Sequence, residues 1–332
     1  MVMSIFRDHS DLPEKIRGGV VAIGNFDGVH QGHWAVIGEA GRLGKNLGLP
    51  FGVLTFEPHP RSVFQPDCPP FRLSPFHSKN IQIEKLDADF LVAVPFDRDF
   101  ASISAEDFIR DILVKFLGAK QVVVGYDFVF GRGRTGNHEL LSQMSSDGGY
   151  GLTVIAGVTH GDPAEGGEIY ASSRIREYLR AGKPLPAADR LGRWWEISGP
   201  VLPGDKRGRH LGFPTANIAL SDHLEPALGV YAVRIAIEGQ ERETWHGGVA
   251  NLGRRPTFDG KSTLLEVHIF DFDQDIYDRN IRVAFLDFLR PERKFDVLDA
   301  LKAQITADCE GARAILVDPE YSNDRFPARP GQ

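Results

Sequence analysis

Two histidines three residues apart, His30 and His33, lie in the glycine-rich stretch GNFDGVHQGH at residues 24–33. Residues with this spacing face the same side of a helical turn, so both imidazoles can meet one ligand. The stretch fits neither the P-loop nor the dinucleotide fingerprint. Because it joins an apolar strand pattern to a helical one, its backbone N–H groups can still bind phosphate at a helix N-terminus. The alternative is a glycine-rich turn with two solvated histidines.

Three later stretches add aromatic, basic and hydroxyl groups. Residues 57–61 read EPHPR, and residues 125–137 read GYDFVFGRGRTGN. The second of these suits a wall for a flat aromatic ligand that carries phosphate. The alternative is a glycine-rich loop whose phenylalanines fill the core. Residues 171–176 read ASSRIR, with two hydroxyls and two arginines at a helix start. This pattern suits either a second anion site or ordinary helix capping.

The second half of the chain has its own polar features. A glycine-punctuated basic loop at residues 204–212 precedes FPTAN at residues 213–217. Backbone N–H groups in such a loop can hold phosphates, and Thr215 and Asn217 offer oxygen ligands that Mg²⁺ accepts. Residues 247–257 form another stretch rich in glycine and arginine. Glu266 interrupts an apolar strand pattern, and its spacing alone favours an exposed edge position.

The elements that must position these groups differ between the two halves. In the first half, apolar runs alternate with helical patterns such as residues 105–117, which predicts an α/β domain with a parallel sheet. Polar stretches follow the first, second and fourth runs, at the carboxyl ends where such sheets bind ligands. Prolines exclude helix at residues 57–61, and GKPLP at residues 182–186 predicts a linker. The runs lie at residues 20–23, 51–56, 90–96, 121–125 and 152–156.

Beyond the linker, short strand patterns are separated by turn residues, which predicts a sandwich or a small closed barrel. A single clear helical pattern follows at residues 297–307, and we expect the polar, proline-rich tail after Asp318 to be disordered. The strand patterns lie at residues 195–201, 229–237, 245–249, 264–270 and 281–285.

Composition limits the class of protein. With 332 residues the chain is long enough for two domains, and its net charge of −7 argues against general nucleic-acid binding. Cys68 and Cys309 are the only cysteines, so neither a disulfide framework nor a thiolate zinc site is expected. The N-terminus lacks a signal-peptide core, and no apolar run is long enough to span a membrane. We expect a cytoplasmic protein.

Taken together, these motifs resemble the prokaryotic bifunctional riboflavin kinase/FMN adenylyltransferase family, over about residues 18–308. The resemblance implies a nucleotidyltransferase-type, Rossmann-like parallel-sheet domain at residues 1–183. A flavokinase-type closed β-barrel with a terminal helix follows at residues 184–310, and residues 311–332 form a flexible tail. Riboflavin would be phosphorylated by ATP to FMN in the barrel, and FMN adenylylated by a second ATP to FAD and pyrophosphate in the α/β domain. The partners implied are small-molecule substrates and Mg²⁺, with no nucleic acid or membrane, in a monomer or weak homo-oligomer.

For adenylyl transfer the resemblance implies that His30 and His33 are catalytic and contact the ATP phosphates. The further ATP-binding residues would be Gly24, Asn25, Phe26, Asp27, Ser172, Ser173 and Arg176. The flavin-binding residues would be Pro58, His59, Pro60, Asp127 and Phe128.

For the kinase the resemblance makes Glu266 the general base, which reverses the interpretation from spacing alone. Thr215 and Asn217 would be the metal ligands. ATP would be bound by Gly208, Gly212, Pro214, Thr215 and Asn217. Riboflavin would be bound by Asn251 and Arg290.

The sequence departs from the family pattern at two places. Ala171-Ser172-Ser173 replaces the usual Ser-Ser-Thr, and Asp278 replaces the glycine usual after Tyr277. We expect Asp278 to tolerate a left-handed turn, because Asp enters that region more readily than most residues. Two other functions remain as alternatives: a kinase whose adenylyltransferase half has decayed, and a non-catalytic flavin-binding regulator.

Overall fold

The structure, a computed structural model, describes residues 3–8, 12–161, 166–204, 208, 211–240, 243–257 and 260–328. The chain divides into two compact units. The first unit is drawn from Met1–Cys68, Ser74–Ala171 and Ala328–Gln332, and the second from Pro69–Leu73 and Ser172–Pro327. The functional domain boundary expected at residue 183 stays a prediction.

The first unit is built on a six-stranded, wholly parallel sheet in the order β1-β4-β3-β2-β5-β6. Because β2 lies between β3 and β5, the polar stretches that follow these three strands meet at one edge of the sheet, as predicted. The strands are Ser4–Phe6 (β1), Val20–Ile23 (β2), Phe51–Glu57 (β3), Phe90–Pro95 (β4), Gln121–Gly125 (β5) and Gly151–Ile155 (β6), with a small hairpin at Thr159–His160 (β7) and Glu168–Ile169 (β8).

Helices surround this sheet, because its central strands are buried on both faces. The helices are Gln31–Leu47 (α1), Pro60–Phe64 (α2), Phe76–Glu84 (α3), Ala105–Asp107 (α4, continued by the π-helical segment Phe108–Phe116) and His138–Gly148 (α5). Close packing inside the sheet is visible at Gly52, where a Cβ atom would lie 2.4 Å from the Phe90 ring. The predicted parallel-sheet fold is confirmed.

Two of the proline-based predictions are wrong for one reason. Helix α2 starts at Pro60, inside the segment from which helix was excluded. Helix α7 (Pro184–Leu191) starts at Pro184, inside the predicted linker. In both cases proline occupies the first helical turn, where its missing N–H has no intrahelical acceptor and its fixed φ suits the helix.

The second unit is an antiparallel six-stranded sheet in the order β10-β13-β12-β11-β14-β9. An antiparallel bridge between Leu202 and Asn217 joins its two ends into a nearly closed barrel, which confirms the predicted architecture. The strands are Trp195–Pro200 (β9), Ala216–Ala219 (β10), Gly229–Ile237 (β11), Trp245–Thr257 (β12), Gly260–Ile269 (β13) and Asn280–Pro291 (β14). Helix α6 (Ser172–Arg180) and α7 precede the barrel.

The chain end is more ordered than its composition indicates. Helix α8 (Leu298–Val317) runs well past the helical pattern that the sequence shows. After it, Tyr321 stacks on Trp194 with ring centroids 6.0 Å apart, and Phe326 meets the same indole edge-on. Arg325 donates a 2.7 Å hydrogen bond to Asp189 of α7. Among the helices of the described residues, none has the length and apolar composition that a bilayer crossing requires.

We therefore expect truncation after residue 317 to destabilise the second unit. Loss of two aromatic contacts to Trp194, which is 3% exposed, should lower the free energy of unfolding by about 1–3 kcal/mol. Urea unfolding followed by circular dichroism and tryptophan fluorescence measures this. The control is Val317→Ala, because that side chain is already 81% exposed. Equal stability of the truncated and full-length chains would contradict the prediction.

Candidate active sites

The anion-binding turn leads from β2 into α1, and its two histidines form a stacked pair. His30 is buried and is the N-cap of α1, where its Nδ1 accepts a hydrogen bond from the His33 backbone N–H at 3.3 Å. The two imidazole centroids lie 3.6 Å apart with nearly parallel planes. The predicted common orientation of the histidines is therefore present, and their partial burial excludes the simple solvated turn.

The backbone of this turn is strained. Phe26 and Val29 have φ values of 47° and 41°, a region that bulky and β-branched residues rarely occupy. The buried Asp27 side chain accepts a 3.0 Å hydrogen bond from the Ser74 backbone N–H, which anchors the turn. The Gly24 N–H, expected to face phosphate, instead donates to the Leu54 carbonyl at 3.1 Å.

Next to the turn lies a cavity of about 710 Å³ with a largely aromatic wall. Four of the predicted residues line it: Asn25, His59, Pro60 and Phe128. Pro58 and Asp127 are exposed and lie outside this lining. The stretch 125–137, predicted as a wall, also contributes Phe130, Arg132 and Arg134. The sequence reasoning missed the phenylalanines that come from other segments: Phe56, Phe64, Phe96, Phe100 and Phe108.

The remaining predicted adenylyltransferase residues start α6, which belongs to the second unit. Ser173 is exposed and Arg176 is half-buried. The Arg176 Nε donates to the Phe71 carbonyl at 2.8 Å, and its guanidinium lies over the Phe71 ring. The expected roles of Ser172, Ser173 and Arg176 toward phosphate stay predictions.

In the second unit, three polar residues share one row of the barrel sheet. Asn217 of β10 pairs with Glu266 of β13, and Glu266 pairs in turn with Asn251 of β12. Residues paired across strands point to the same face. The flanking Leu265 and Val267 lie in the barrel core, so the row lies on the outer face.

This position explains how Glu266 interrupts an apolar strand. β13 is paired on both sides and is not an edge strand, and Glu266 is half-buried. The prediction of an exposed edge from spacing alone is therefore wrong. Alternation along the strand explains why: every second side chain of β13 leaves the core, whether or not the strand is an edge.

The predicted ATP-binding residues of this unit lie at the start of β10, a strand that the sequence did not reveal. Pro214 and Thr215 line a cavity of about 350 Å³, whose wall also includes residues 272–277. The Phe213 N–H donates to the Gly208 carbonyl at 2.8 Å. Gly212 is exposed, and residues 205–207 and 209–210 of this loop lie outside the described residues.

Arg290, predicted to bind flavin, is held by the terminal helix. Its guanidinium makes two hydrogen bonds, of 2.9 and 2.7 Å, to the carboxylate of Asp308, which is 7% exposed. The Gln304 side chain donates to the same carboxylate at 3.0 Å. Such a bidentate pair fixes the direction of the arginine side chain.

We expect Asp308→Ala to destabilise the second unit by about 2–3 kcal/mol, because hydrogen bonds between charged groups are lost and Arg290 is left half-buried. Asp308→Asn, which keeps one acceptor, should cost less. Thermal unfolding compares both with Glu310→Gln, an exposed change on the same helix. If Asp308→Ala is as stable as the control, the Arg290–Asp308 ion pair contributes little to the stability of the second unit.

Two titratable groups near the barrel have shifted pKa values. Burial raises the pKa of Tyr231, whose hydroxyl donates to the Ala227 carbonyl, so this tyrosine stays neutral. Burial would also raise the pKa of Glu225, but hydrogen bonds from Arg254 and Thr263 outweigh it and hold that pKa below its ordinary value. Both groups stabilise structure and are not poised to exchange protons near neutral pH.

The substituted turn position behaves as predicted. Asp278 has a φ of 60°, the left-handed conformation for which the family usually has glycine.

Comparison with known proteins assigns each part of the chain to a protein family. Residues 12–164 match the FAD synthetase family, and residues 191–316 match the riboflavin kinase family. A bifunctional riboflavin kinase/FMN adenylyltransferase from Escherichia coli (strain K12) is 40% identical over 299 residues, which cover 90% of this chain and 92% of that protein. The chain belongs to the bifunctional riboflavin kinase/FMN adenylyltransferase family. The resemblance stated from its motifs is confirmed.

Other family members and solved structures agree in length and fold. The bifunctional riboflavin kinase/FMN adenylyltransferase of Bacillus subtilis (strain 168) is 37% identical over 313 residues, covering 93% of this chain and 96% of that one. A crystal structure described as a macrolide-efflux protein from Streptococcus pneumoniae superposes with a TM-score of 0.81 at 31% identity, covering 94% and 99% of the two chains. This chain thus combines the two transferase domains of FAD biosynthesis, at residues 12–164 and 191–316.

Proposed function

We propose that the chain converts riboflavin to FAD in two steps, at two separate centres that both retain their chemical groups. The observation that supports this most directly is the outer-face row of Asn217, Glu266 and Asn251 in the riboflavin kinase unit. A regulator that only bound flavin would need no carboxylate there. The stacked His30–His33 pair in the FAD synthetase unit argues against a decayed adenylyltransferase.

In the kinase step, Glu266 takes the proton from the 5′-hydroxyl of the ribityl chain. The freed oxygen attacks the γ-phosphorus of ATP, the bond to the β-phosphate oxygen breaks, and ADP leaves. Asn251, next to Glu266 in the row, and Arg290 would hold the flavin. Gly208, Gly212 and Pro214 would hold ATP beside Thr215.

Magnesium would enter this step with ATP. Within the described residues, no cluster of three or more His, Cys, Asp or Glu side chains could hold a metal. Thr215, which precedes β10, and Asn217 within it offer neutral oxygens, which suits a magnesium ion bound mainly by phosphate. When bound, the ion neutralises phosphate charge and orients the γ-phosphoryl group.

In the adenylyl step, a phosphate oxygen of FMN attacks the α-phosphorus of the second ATP, and pyrophosphate leaves. His30 and His33 stabilise the charge that grows on the α-phosphate and the leaving group. The aromatic cavity would hold the isoalloxazine ring beside Asn25, with His59, Pro60 and Phe128 in its wall. The ATP phosphates would also be bound by Ser172, Ser173 and Arg176. The reaction requires no covalent intermediate.

We also propose a compartment and an oligomeric state. The protein would work in the cytoplasm on small molecules, without nucleic acid, as a monomer or weak homo-oligomer. Its acidic net charge of −7 supports the absence of nucleic-acid binding.

One assay tests the function. Purified protein is incubated with riboflavin, ATP and Mg²⁺, and flavins are separated by chromatography over time. FMN that appears first and is then converted to FAD supports the proposal. FMN that accumulates without FAD would leave the single-activity kinase, and no product at all would overturn both enzymatic functions. Omitting Mg²⁺ should abolish FMN formation.

A further inference from the structure

A buried lysine lies behind the anion-binding turn. Lys79 of α3 is 0% exposed, although lysine is rarely buried without a partner. Its ammonium donates to Thr55 Oγ1 at 3.2 Å and lies 3.9 Å from Glu57 Oε2.

Thr55 connects this lysine to the turn. The threonine is fully buried, and its hydroxyl donates to the Asn25 backbone carbonyl at 3.2 Å. An ammonium group can only donate, so Lys79 requires the threonine oxygen to act as its acceptor. The hydroxyl proton is thereby directed at Asn25. The three groups form one directed chain of hydrogen bonds.

The turn needs such support because of its backbone conformation. Phe26 and Val29, which follow Asn25, both have positive φ. Strained conformations of this kind persist only where the surrounding structure holds them. The segment just before α3 supplies a second contact, since the Ser74 N–H donates a hydrogen bond to the Asp27 carboxylate.

Stability alone does not account for a charged residue here. Replacing buried ionic groups by apolar residues of similar volume is often neutral or stabilising. The lysine has a use that an apolar residue lacks, which is to orient the Thr55 hydroxyl. That orientation fixes the position of Asn25, which lines the aromatic cavity and starts the segment leading to the histidines.

Resting on the proposed function, we propose that Lys79 is a positioning residue for adenylyl transfer. It acts through Thr55 on the carbonyl of Asn25, and so holds His30 and His33 where the ATP phosphates bind. Lys79 itself touches no substrate in this mechanism.

The test uses the full chain and measures FAD formation from supplied FMN and ATP. Thr55→Val removes the hydroxyl at nearly constant volume, and Thr55→Ser restores it. We expect Thr55→Val and Lys79→Met each to lower kcat about 10–100-fold, the cost of a small misplacement of catalytic groups. The KM for FMN should change far less than kcat, because Asn25 is one residue of the cavity lining and the phenylalanines of the wall are unchanged. Thr55→Ser should keep most of the wild-type kcat.

A double variant separates positioning from general destabilisation. If Lys79 acts through Thr55, the double variant Lys79→Met/Thr55→Val should have the same kcat as the less active of the two single variants. Riboflavin phosphorylation by the same samples, which should equal wild type, shows that the second unit is folded, and a thermal unfolding curve shows whether the first unit, which holds both substitutions, is folded as well. Wild-type kcat in either single variant, losses that multiply, or a Thr55→Ser variant as slow as Thr55→Val would each overturn the inference. A wild-type protein that makes FMN but no FAD would overturn the proposed adenylyltransferase itself.

Discussion

Glu266→Gln should abolish most FMN formation while leaving the conversion of supplied FMN to FAD intact. Glutamine preserves the shape of the side chain and its place between Asn217 and Asn251, but it cannot accept the ribityl proton. Loss of a general base typically lowers the rate about 10²–10⁴-fold. The two reactions are measured on one sample, with riboflavin or FMN as the flavin supplied.

The matched control is Glu310→Gln, which makes the same chemical change at an exposed position of the same unit. It should phosphorylate riboflavin at the wild-type rate. If Glu266→Gln retains that rate as well, another group must act as the base. If it loses both activities while remaining folded, the two centres are not independent.

His33→Ala should have the opposite pattern, with FAD formation lost and FMN formation retained. Removing one group that stabilises transition-state charge usually costs about 10²–10³ in kcat. His33 is the better choice of the pair, because His30 also caps α1 and its loss would disturb the helix. The rate of FAD formation from saturating FMN and ATP gives the effect.

His138→Ala is the control for this change, since it removes a histidine from the same unit, at the first residue of α5. It should leave both activities intact. A His33→Ala variant that still makes FAD at the wild-type rate would show that the stacked pair is not part of the catalytic machinery. A rise in the KM for ATP with unchanged kcat would assign His33 to binding alone.

Local patterns were sufficient where a feature depends on neighbouring residues. The buried parallel strands and the turn with His30 and His33 could be predicted from short stretches. The left-handed conformation of Asp278 was expected only from the family resemblance. The predictions at Pro60 and Pro184 were wrong because proline interrupts a helix in its interior but is tolerated in its first turn. The sequence alone did not show which of these positions each proline occupies.

Features that depend on tertiary contacts could not be predicted in this way. Phe128 and Phe130 of the aromatic cavity lie in one predicted stretch, but its other phenylalanines come from separate segments of the chain, and no spacing in the sequence groups them with these two. The row through Glu266 is set by the register of three strands. Lys79 lies on a helix with no distinctive pattern, and only its complete burial reveals it.

The strand pairing around Glu266 has a consequence for how this domain can change in evolution. Because Leu265 and Val267 point into the barrel, deletion of one residue within β13 would turn the carboxylate inward and a leucine outward. A substitution in the row changes one side chain, whereas the loss or gain of one residue moves every following side chain of the strand to the opposite face of the sheet. The proposed kinase centre therefore depends on the number of residues in β13 as well as on their identities. We expect natural insertions and deletions to be confined to the loops between strands.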